Sequence, residues 1–460
     1  MSTNIGVIGA GAAAVGFLDA LSRTDGPPAT VTVFEPSPHL WRGRAYQPDL
    51  DAVRVNAPPV IMSARHGDPE HYARWLGDRA ADHLDTRFGQ PIVPRALYGS
   101  YLEDTAEAAL KALRAAGWRT RIVRARVTGL SGNALTTDDG EQHAIDRAAL
   151  CIGGGTPRDH YGLGGAPGFV RDPYPLASTL DQIGLDRDVA IVGSGLTAVD
   201  IAVSLAARGH QGHIAFLSRE GVLPAVWQRP FRFEPRHLDT IGDEPVTLDG
   251  LRALLDAELA DLGQDLSELT SEIAAVRDED PIARLRRQLA QTDAPGLGRR
   301  VLQQAAHTLG PRAWRLLPAH ERDLLRGTYF RAVASLASPM VPGNAATLLD
   351  LFDSGQATMV AGVQKIEPGF RITADRDTTA DVVVNAVNPP PHSIPQGAEP
   401  LVSALLDAGA SLHDSGGLVT GPDHPIIGDL AGGGFFLTTS IPGLAARGHT
   451  VATSLRGSST

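Results

Sequence analysis

The chain has 460 residues, 43% of them apolar and 20% charged, which is enough for two or three globular domains. Its net charge of −11 is diffuse and argues against a nucleic-acid partner, because phosphate neutralisation requires clustered cations. No apolar run reaches the roughly 18 residues of a membrane span, and no signal sequence opens the chain, so we expect a cytoplasmic protein with no membrane partner. The single cysteine, Cys151, excludes an internal disulfide, a CxxC redox pair and an iron–sulfur cluster.

The first predicted elements form a strand–turn–helix–strand unit. Residues 4–8 and 29–34 are predicted as strands, and an Ala-rich stretch between them as a helix. The first strand leads into a turn with the spacing G-x-G-x-x-A, whose predicted contact residues are Gly9, Gly11, Ala12, Ala13 and Ala14. Glu35 follows the second strand, 24 residues after Gly11. Such a turn brings helix N–H groups to a pyrophosphate, and the carboxylate accepts hydrogen bonds from adenosine ribose hydroxyls.

A Pro- and Arg-rich loop at 36–65 follows this unit. Residues 69–78 and 100–116 are predicted as helices. Meander strands are predicted within 120–130 and 134–150, and they lead into a glycine loop at 151–157.

A second strand–turn–helix–strand unit begins at Asp188. Its turn repeats the G-x-G-x-x-A spacing, and its predicted contact residues are Gly193, Ser194, Gly195, Leu196 and Thr197. The position 24 residues after Gly195 is Arg219, preceded by Ser218. A guanidinium and a hydroxyl bind a 2′-phosphate that a carboxylate would repel. We therefore predict FAD at the first turn and NADPH, rather than NADH, at the second.

Asp200 lies in the first turns of the second helix, where a carboxylate favours the helix dipole. The alternative interpretation is a polar contact to the nicotinamide or the flavin.

Residues 247–335 are predicted as a helical insert, interrupted near 293–298. Its Arg-rich amphipathic segments indicate a solvated cap. The alternative is a substrate lid whose arginines bind a carboxylate or a carrier protein. Strands are predicted again within 357–368, 370–375 and 381–387, before a proline cluster.

This order of units resembles the two-dinucleotide-binding flavoproteins, which include flavin monooxygenases and the ornithine and lysine N-hydroxylases. It resembles the bacterial FAD-NAD(P)-binding family more closely still. The matching segments are 43–63, 93–102, 193–205, 217–224 and 428–444. The chain has Asn388 and Asp429 where such proteins usually have Gly and Pro, and it lacks the F-x-G-x-x-x-H motif of Baeyer–Villiger enzymes.

The resemblance implies an α/β fold of two Rossmann-like, doubly wound, three-layer dinucleotide-binding domains plus the helical insert. The FAD-binding domain would comprise 1–165 and 391–460, and the NADPH-binding domain 185–246 and 336–390. Beyond the glycine turn, the implied FAD contacts are Glu35, Pro36, Arg42, Gly43, Ala45, Asn56, Met62, Arg95, Val127, Gly153, Gly154, Gly428, Asp429, Ser440 and Ile441.

The function implied is an FAD- and NADPH-dependent monooxygenase of specialised metabolism. It would transfer oxygen from a C4a-hydroperoxyflavin to a small amine-type substrate, either free or attached to a carrier. Two alternatives stay open: an NADPH-dependent flavin reductase or dehydrogenase without oxygen transfer, and a non-catalytic nucleotide-binding regulator. No metal and no catalytic side chain are predicted, and the sequence leaves the substrate and the oligomeric state open.

Overall fold

The computed structural model describes residues 3–231, 234–434 and 440–457. The first part of the chain contains, in order, β1 Asn4–Ile8, α1 Ala12–Arg23, β2 Thr30–Phe34, α2 His71–Leu76, β3 Leu84–Asp85, β4 Gln90–Pro91, α3 Arg95–Ala115, β5 Arg119–Val123, β6 Val127–Ser131, β7 Ala134–Thr137, β8 Gln142–Ala144 and β9 Arg147–Leu150. Short 3-10 helices cover Pro59–Ile61 and Gly77–His83.

The middle of the chain continues with β10 Phe169–Val170, α4 Leu176–Leu180, β11 Val189–Val192, α5 Leu196–Ala207 and β12 Ile214–Leu217. The helical insert follows, with the 3-10 helix Leu238–Thr240 and α6 Leu248–Asp261, α7 Ser267–Asp278, α8 Pro281–Ala290, α9 Gly298–Thr308, α10 Gly310–Leu316, α11 Ala319–Gly327 and α12 Phe330–Ala337.

The last part contains α13 Pro342–Asp353, β13 Ala357–Val360, β14 Lys365–Glu367, β15 Arg371–Thr373, β16 Thr378–Thr379, β17 Val382–Asn385, the 3-10 helix Gln396–Ala398, α14 Glu399–Asp407, β18 Ser411–Leu412, β19 Leu418–Val419 and α15 Ile441–Gly457. The predicted helical insert and the predicted return to strands are both confirmed.

The first sheet has the strand order β5-β2-β1-β9, and its pairs are all parallel. The register of β1 and β2 runs from Asn4↔Thr30 to Ile8↔Phe34, so both strands end at the same edge. Helices α1, α3 and α15 pack on one face of the sheet, and the β6–β8 meander packs with α14 on the other. Burial on both faces explains why β1 and β2 consist mainly of apolar and β-branched residues.

The second sheet repeats this design, with the parallel order β10-β17-β11-β12-β13. Its β11–β12 register ends at Val192↔Leu217. One face packs against α4, α5 and α13, and the other against the antiparallel β14–β16 strands. The two three-layer α/β units with an inserted helical region confirm the predicted fold class.

The C-terminal helix α15 completes the first unit by packing closely against α1. A side chain on Gly16 of α1 would lie 3.1 Å from Ala445 Cα, and one on Gly448 of α15 would lie 2.8 Å from Phe17 N. Glycine therefore allows the two helix backbones to approach, and the start and end of the described chain share one core.

We expect Gly448→Ala to destabilise the protein by about 1–3 kcal/mol, because the added methyl group has no space against the α1 backbone. Chemical denaturation monitored by circular dichroism measures the change. Gly327→Ala is the matched control, since a side chain at this helical glycine meets nothing within 4 Å. Equal stability of the two variants would contradict the packing argument.

Candidate nucleotide-binding sites

The first glycine turn connects β1 directly to α1. Gly9 has φ +94°, a left-handed conformation that favours glycine, and a side chain there would lie 2.8 Å from Cys151 O. Gly11 is the N-cap of α1, which begins at Ala12. The first N–H groups of a helix have no partner within it, so the helix start, including Ala13 and Ala14, is suited to an anion.

Glu35 lies against this turn at the end of β2. Its Oε2 accepts a hydrogen bond from Ala10 N at 2.8 Å, and its Oε1 accepts one from Ser37 N at 2.9 Å. Pro36, which lies between Glu35 and Ser37 in the sequence, is exposed. The two bonds fix the carboxylate beside the glycine turn, where the sequence predicts it.

Gly43, in the long loop after β2, faces the same turn. A side chain on Gly11 would lie 3.5 Å from Gly43 Cα, and the converse distance is also 3.5 Å. Gly43 has φ +56°, and Ala45 beyond it is exposed. Glycine at both positions therefore allows the loop backbone to approach the glycine turn closely.

The glycine loop after β9 contacts the C-terminal segment. A side chain on exposed Gly153 would meet nothing within 4 Å, and one on Gly154 would lie 3.4 Å from Asp429 Oδ2. Gly428 packs against this loop so tightly that a side chain would lie 2.0 Å from Ile152 O. The structure thus brings Gly153, Gly154, Gly428 and Asp429 together.

Arg42 is engaged by protein groups. Its Nε and Nη2 donate to the Glu103 carboxylate at 2.6 and 2.7 Å, and its Nη1 donates to Ala96 O at 2.8 Å. Met62 is buried, and its carbonyl accepts a hydrogen bond from Tyr98 at 2.7 Å. A direct FAD contact from either residue stays a prediction.

Asn56 connects the long loop to the segment after β12. Its carbonyl accepts a hydrogen bond from Trp227 Nε1 at 2.7 Å. Its Oδ1 is buried and has no hydrogen-bond partner among the described residues. A buried carbonyl oxygen without a partner is costly. Asn56 Oδ1 is therefore a candidate to accept a hydrogen bond from a ligand.

Val127, Ser440 and Ile441 have structural contacts of their own. Val127 is buried in the core that also contains Phe34. Ser440 Oγ accepts a hydrogen bond from Gly443 N at 3.2 Å just before α15, whose first residue, Ile441, is buried. Residues 435–439, within the predicted C-terminal flavin segment, lie outside the described residues.

The second glycine turn reproduces the first. Gly193 has φ +111° and donates to Leu217 O at 2.8 Å, just as Gly9 donates to Phe34 O at 2.9 Å. Gly195 is the N-cap of α5, and a side chain on it would meet nothing within 4 Å. The internal repeat recognised in the sequence is therefore a repeat of backbone geometry.

The end of β12 presents a hydroxyl and a guanidinium at this turn. Ser218 Oγ accepts a hydrogen bond from Gly221 N at 3.0 Å and lies 3.3 Å from Ser194 Oγ. Arg219 is exposed, and its guanidinium has no hydrogen bond to the described part of the chain. Leu196 and Thr197 open α5, and Thr197 Oγ1 lies 3.5 Å from Asn388 Oδ1. The Arg219 cation is thus available to a ligand.

A cavity of about 1670 Å³ opens over the second turn. It is lined by Gly193–Thr197, by Ser218–Glu220 and by helices of the insert, chiefly α7 and α12. The insert is therefore one wall of this cavity, a position that a fully solvated cap would not have.

A buried ion pair joins the two units. Arg95, at the start of α3, donates from Nη2 to Asp200 Oδ2 of α5 at 2.6 Å. Tyr174 donates to the same oxygen at 2.5 Å, and Arg95 Nη1 lies 3.1 Å from the Tyr174 hydroxyl. Burial alone would lower the pKa of Arg95, but attraction to Asp200 and Tyr174 raises it, so the guanidinium stays charged.

This ion pair differs from both sequence-based interpretations of Asp200. The carboxylate contacts neither helix N–H groups nor the cavity; it bonds to an arginine 105 residues away in the sequence. Nothing in the local sequence around either residue indicates the pairing. Cys151, in contrast, is buried between sheet and glycine loop, and burial raises its pKa, as expected for an inert thiol.

The fold and the paired glycine turns define an α/β protein whose two units have a dinucleotide-binding-like fold. Residues 6–155 match the model of the FAD-NAD(P)-binding family. The predicted family resemblance is thereby confirmed. None of the curated proteins matches the sequence.

Solved structures with similar folds include several monooxygenases and hydroxylases. An L-lysine 6-monooxygenase from Pseudomonas syringae has a TM-score of 0.58 at 16% identity, with 100% of each chain covered. An ornithine N-hydroxylase from Kutzneria sp. 744, solved with reduced FAD, NADP+ and L-ornithine, has a TM-score of 0.53 at 15% identity, again covering 100% of each chain. A cadaverine monooxygenase from Erwinia amylovora, bound to FAD, has a TM-score of 0.59 at 12% identity and covers 99% of this chain and 94% of that one.

Among residues 3–231, 234–434 and 440–457, no helix has the length and apolar character to cross a bilayer.

We expect Asp200→Asn to destabilise the protein by about 3 kcal/mol, because it leaves the Arg95 charge buried without its partner. The double variant Arg95→Met/Asp200→Leu should be closer to the wild type than Asp200→Asn, since it removes both charges. Chemical denaturation monitored by circular dichroism gives the free energies of unfolding.

The exposed pair Arg286–Asp353 provides the control for this measurement. Asp353→Asn should leave the denaturation midpoint nearly unchanged, because an exposed pair adds little to stability. An Asp200→Asn variant as stable as Asp353→Asn would refute the role given to the buried pair.

Proposed function

We propose that the protein is an FAD- and NADPH-dependent monooxygenase that transfers one oxygen atom to a small nucleophilic, amine-type substrate. One observation carries the proposal: the two glycine turns match, but the residues beside them differ in charge. Glu35 follows β2 beside the first turn, and Ser218–Arg219 follows β12 beside the second. Hydride transfer between two dinucleotides requires two such sites, whereas a nucleotide sensor requires one. The pair of turns therefore supports an oxidoreductase over a regulator.

The residues of the first site fit FAD. The turn at Gly9 and Gly11 allows a pyrophosphate to approach the start of α1, and Glu35 stands where it can accept from ribose hydroxyls. Space remains beside Gly153, where a side chain would meet nothing within 4 Å, and Asn56 Oδ1 offers an acceptor that lacks a partner among the described residues. Bound FAD supplies the hydride-accepting and oxygen-activating chemistry.

The residues of the second site fit a dinucleotide with a 2′-phosphate. Gly193 and Gly195 repeat the pyrophosphate turn, and the available Arg219 guanidinium stands beside the Ser218 hydroxyl. A guanidinium gives a phosphate charge-assisted hydrogen bonds that a carboxylate at this position could not. This supports NADPH as the electron donor.

The chain's own contribution is to hold the two dinucleotides in a fixed relation. Hydride transfer requires the reacting atoms to lie within about 3–3.5 Å of one another. The two units must therefore keep a fixed position relative to each other. The buried bonds among Arg95, Tyr174 and Asp200 hold α3 against α5. Trp227, bonded to the Asn56 carbonyl, adds a second contact between the long loop and the segment after β12.

The choice of oxygen transfer over electron transfer alone is supported by the similar folds. The compared structures with TM-scores above 0.5 include a lysine monooxygenase, an ornithine N-hydroxylase and a cadaverine monooxygenase, which are named for amine substrates. An amine nitrogen also has a lone pair that can accept an oxygen atom, and bound FAD would supply the oxygen-activating chemistry. The same comparison leaves the amine itself undefined, and a carrier-bound amine stays within the proposal.

Stopped-flow absorbance on the FAD-loaded protein tests the proposal. We expect NADPH to reduce the flavin faster than NADH at equal concentration. After mixing with oxygen, flavin reoxidation should depend on an added amine, and mass spectrometry should detect a product heavier by one oxygen atom. The panel should include free diamines, basic amino acids and carrier-bound amines.

Two results would point elsewhere. Immediate reoxidation with stoichiometric peroxide release, unchanged by every amine of the panel, would favour the reductase. A purified protein that stays colourless and rejects added FAD would favour the regulator.

Arg219→Glu should weaken NADP+ binding about ten- to a hundredfold and change NAD+ binding less than about threefold, because only NADP+ carries the phosphate that the variant repels. Isothermal titration calorimetry gives both dissociation constants. Arg371→Glu, an equally drastic change at an exposed residue of the same unit, is the control. Equal weakening of both dinucleotides would contradict the assignment.

A further inference from the structure

The helical insert is firmly attached to the segment that follows β12, beside the cavity over the second glycine turn. Ser335 of α12 donates from Oγ to Leu223 O at 2.8 Å, and its carbonyl accepts a hydrogen bond from Ala225 N at 3.0 Å. Arg284 of α8, which is 2% exposed, donates to the same Leu223 carbonyl at 2.5 Å. These buried bonds fix α12 against the segment that follows β12, so residues of α12 have a defined position at the cavity.

The charges around this cavity are mixed. The charged side chains that line it are the arginines and carboxylates Arg219, Arg277, Arg326, Arg331, Glu220 and Asp278. Glu220 directly follows Arg219, the residue we assign to the 2′-phosphate. A carboxylate this close to a phosphate dianion would oppose its binding, since like charges at short range repel.

Arg331 of α12 pairs with this carboxylate. Its Nε lies 3.3 Å from Glu220 Oε1, and the two side chains are 38% and 56% exposed. An exposed pair of this kind adds little to the stability of the fold. Its effect is instead on the local potential, because it cancels the negative charge beside Arg219.

We propose that Arg331 is a specificity-determining residue for the second nucleotide. Through its pairing with Glu220 it removes the repulsion that this carboxylate would exert on a 2′-phosphate, so the helical insert takes part in the choice of NADPH over NADH. The inference rests on the proposed function for the assignment of the 2′-phosphate to Arg219. It goes further in giving the insert a role in coenzyme selection.

The test compares NADP+ and NAD+ binding by the full-length, FAD-loaded protein, measured by isothermal titration calorimetry at low salt. Arg331→Ala should weaken NADP+ about fivefold and leave NAD+ within about twofold of the wild type. Adding Glu220→Gln to Arg331→Ala should restore NADP+ affinity to that of Glu220→Gln alone, because no charge is then left to neutralise. The effect of Arg331→Ala should shrink at high salt, where exposed charges are screened.

Two further variants keep the result interpretable. Arg331→Lys retains the positive charge and should keep most of the NADP+ preference. Arg312→Ala removes another arginine of the insert, paired with Asp243 at 3.0 Å and away from the cavity lining, and should change neither affinity. Thermal unfolding of each variant checks that it is folded.

Equal weakening of NADP+ and NAD+ by Arg331→Ala would overturn the inference, and so would a loss that Glu220→Gln does not rescue. Both results leave the proposed function standing if Arg219→Glu still abolishes the NADP+ preference. A wild-type protein without any NADP+ preference would instead contradict the NADPH assignment of the proposed function and, with it, the role of Arg331.

Discussion

The parallel pairing of neighbouring strands is the constraint from which both nucleotide sites follow. Because β1 and β2 run in register to Ile8↔Phe34, the turn after the first strand and the residue after the second meet at one edge of the sheet. The β11–β12 pair repeats this to Val192↔Leu217. In both units, a side chain of different charge follows the second strand at the same position. It is a carboxylate in one unit and a guanidinium in the other, and the proposed assignment of FAD and NADPH rests on this difference.

The buried ion pair Arg95–Asp200 joins the two units and selects one relative orientation among those that shape complementarity alone would allow. Asp200 is fully buried and Arg95 nearly so, and each finds its partner only when α3 and α5 lie in one arrangement. Any other arrangement would leave a desolvated charge unpaired, which is strongly unfavourable. The Arg95–Asp200 pair thus acts mainly by disfavouring other orientations of the two units, and less by adding to the stability of the fold.

Features set by local sequence could be predicted, and features set by distant contacts could not. The two glycine turns, the strands around them and the helices of 247–335 follow from periodicity and from glycine spacing, which act within a few residues. The start of α3 was predicted at residue 100 and lies at Arg95, because helix ends carry weaker signals than helix interiors. The pairing of Arg95 with Asp200, and that of Arg331 with Glu220, depends on how whole units pack, and no local pattern encodes it. The same holds for the insert, whose amphipathic helices predicted a covered face but not which surface covers it.

The close contact between α15 and α1 has a consequence for how the protein is made. The apolar face of α1 emerges from the ribosome on the order of tens of seconds before α15, the helix that covers it. The second unit and the insert lie wholly between these two segments and can fold while synthesis continues. Part of the core of the first unit therefore stays uncovered until α15 has emerged, and exposed apolar surface of this kind makes a nascent chain prone to aggregation.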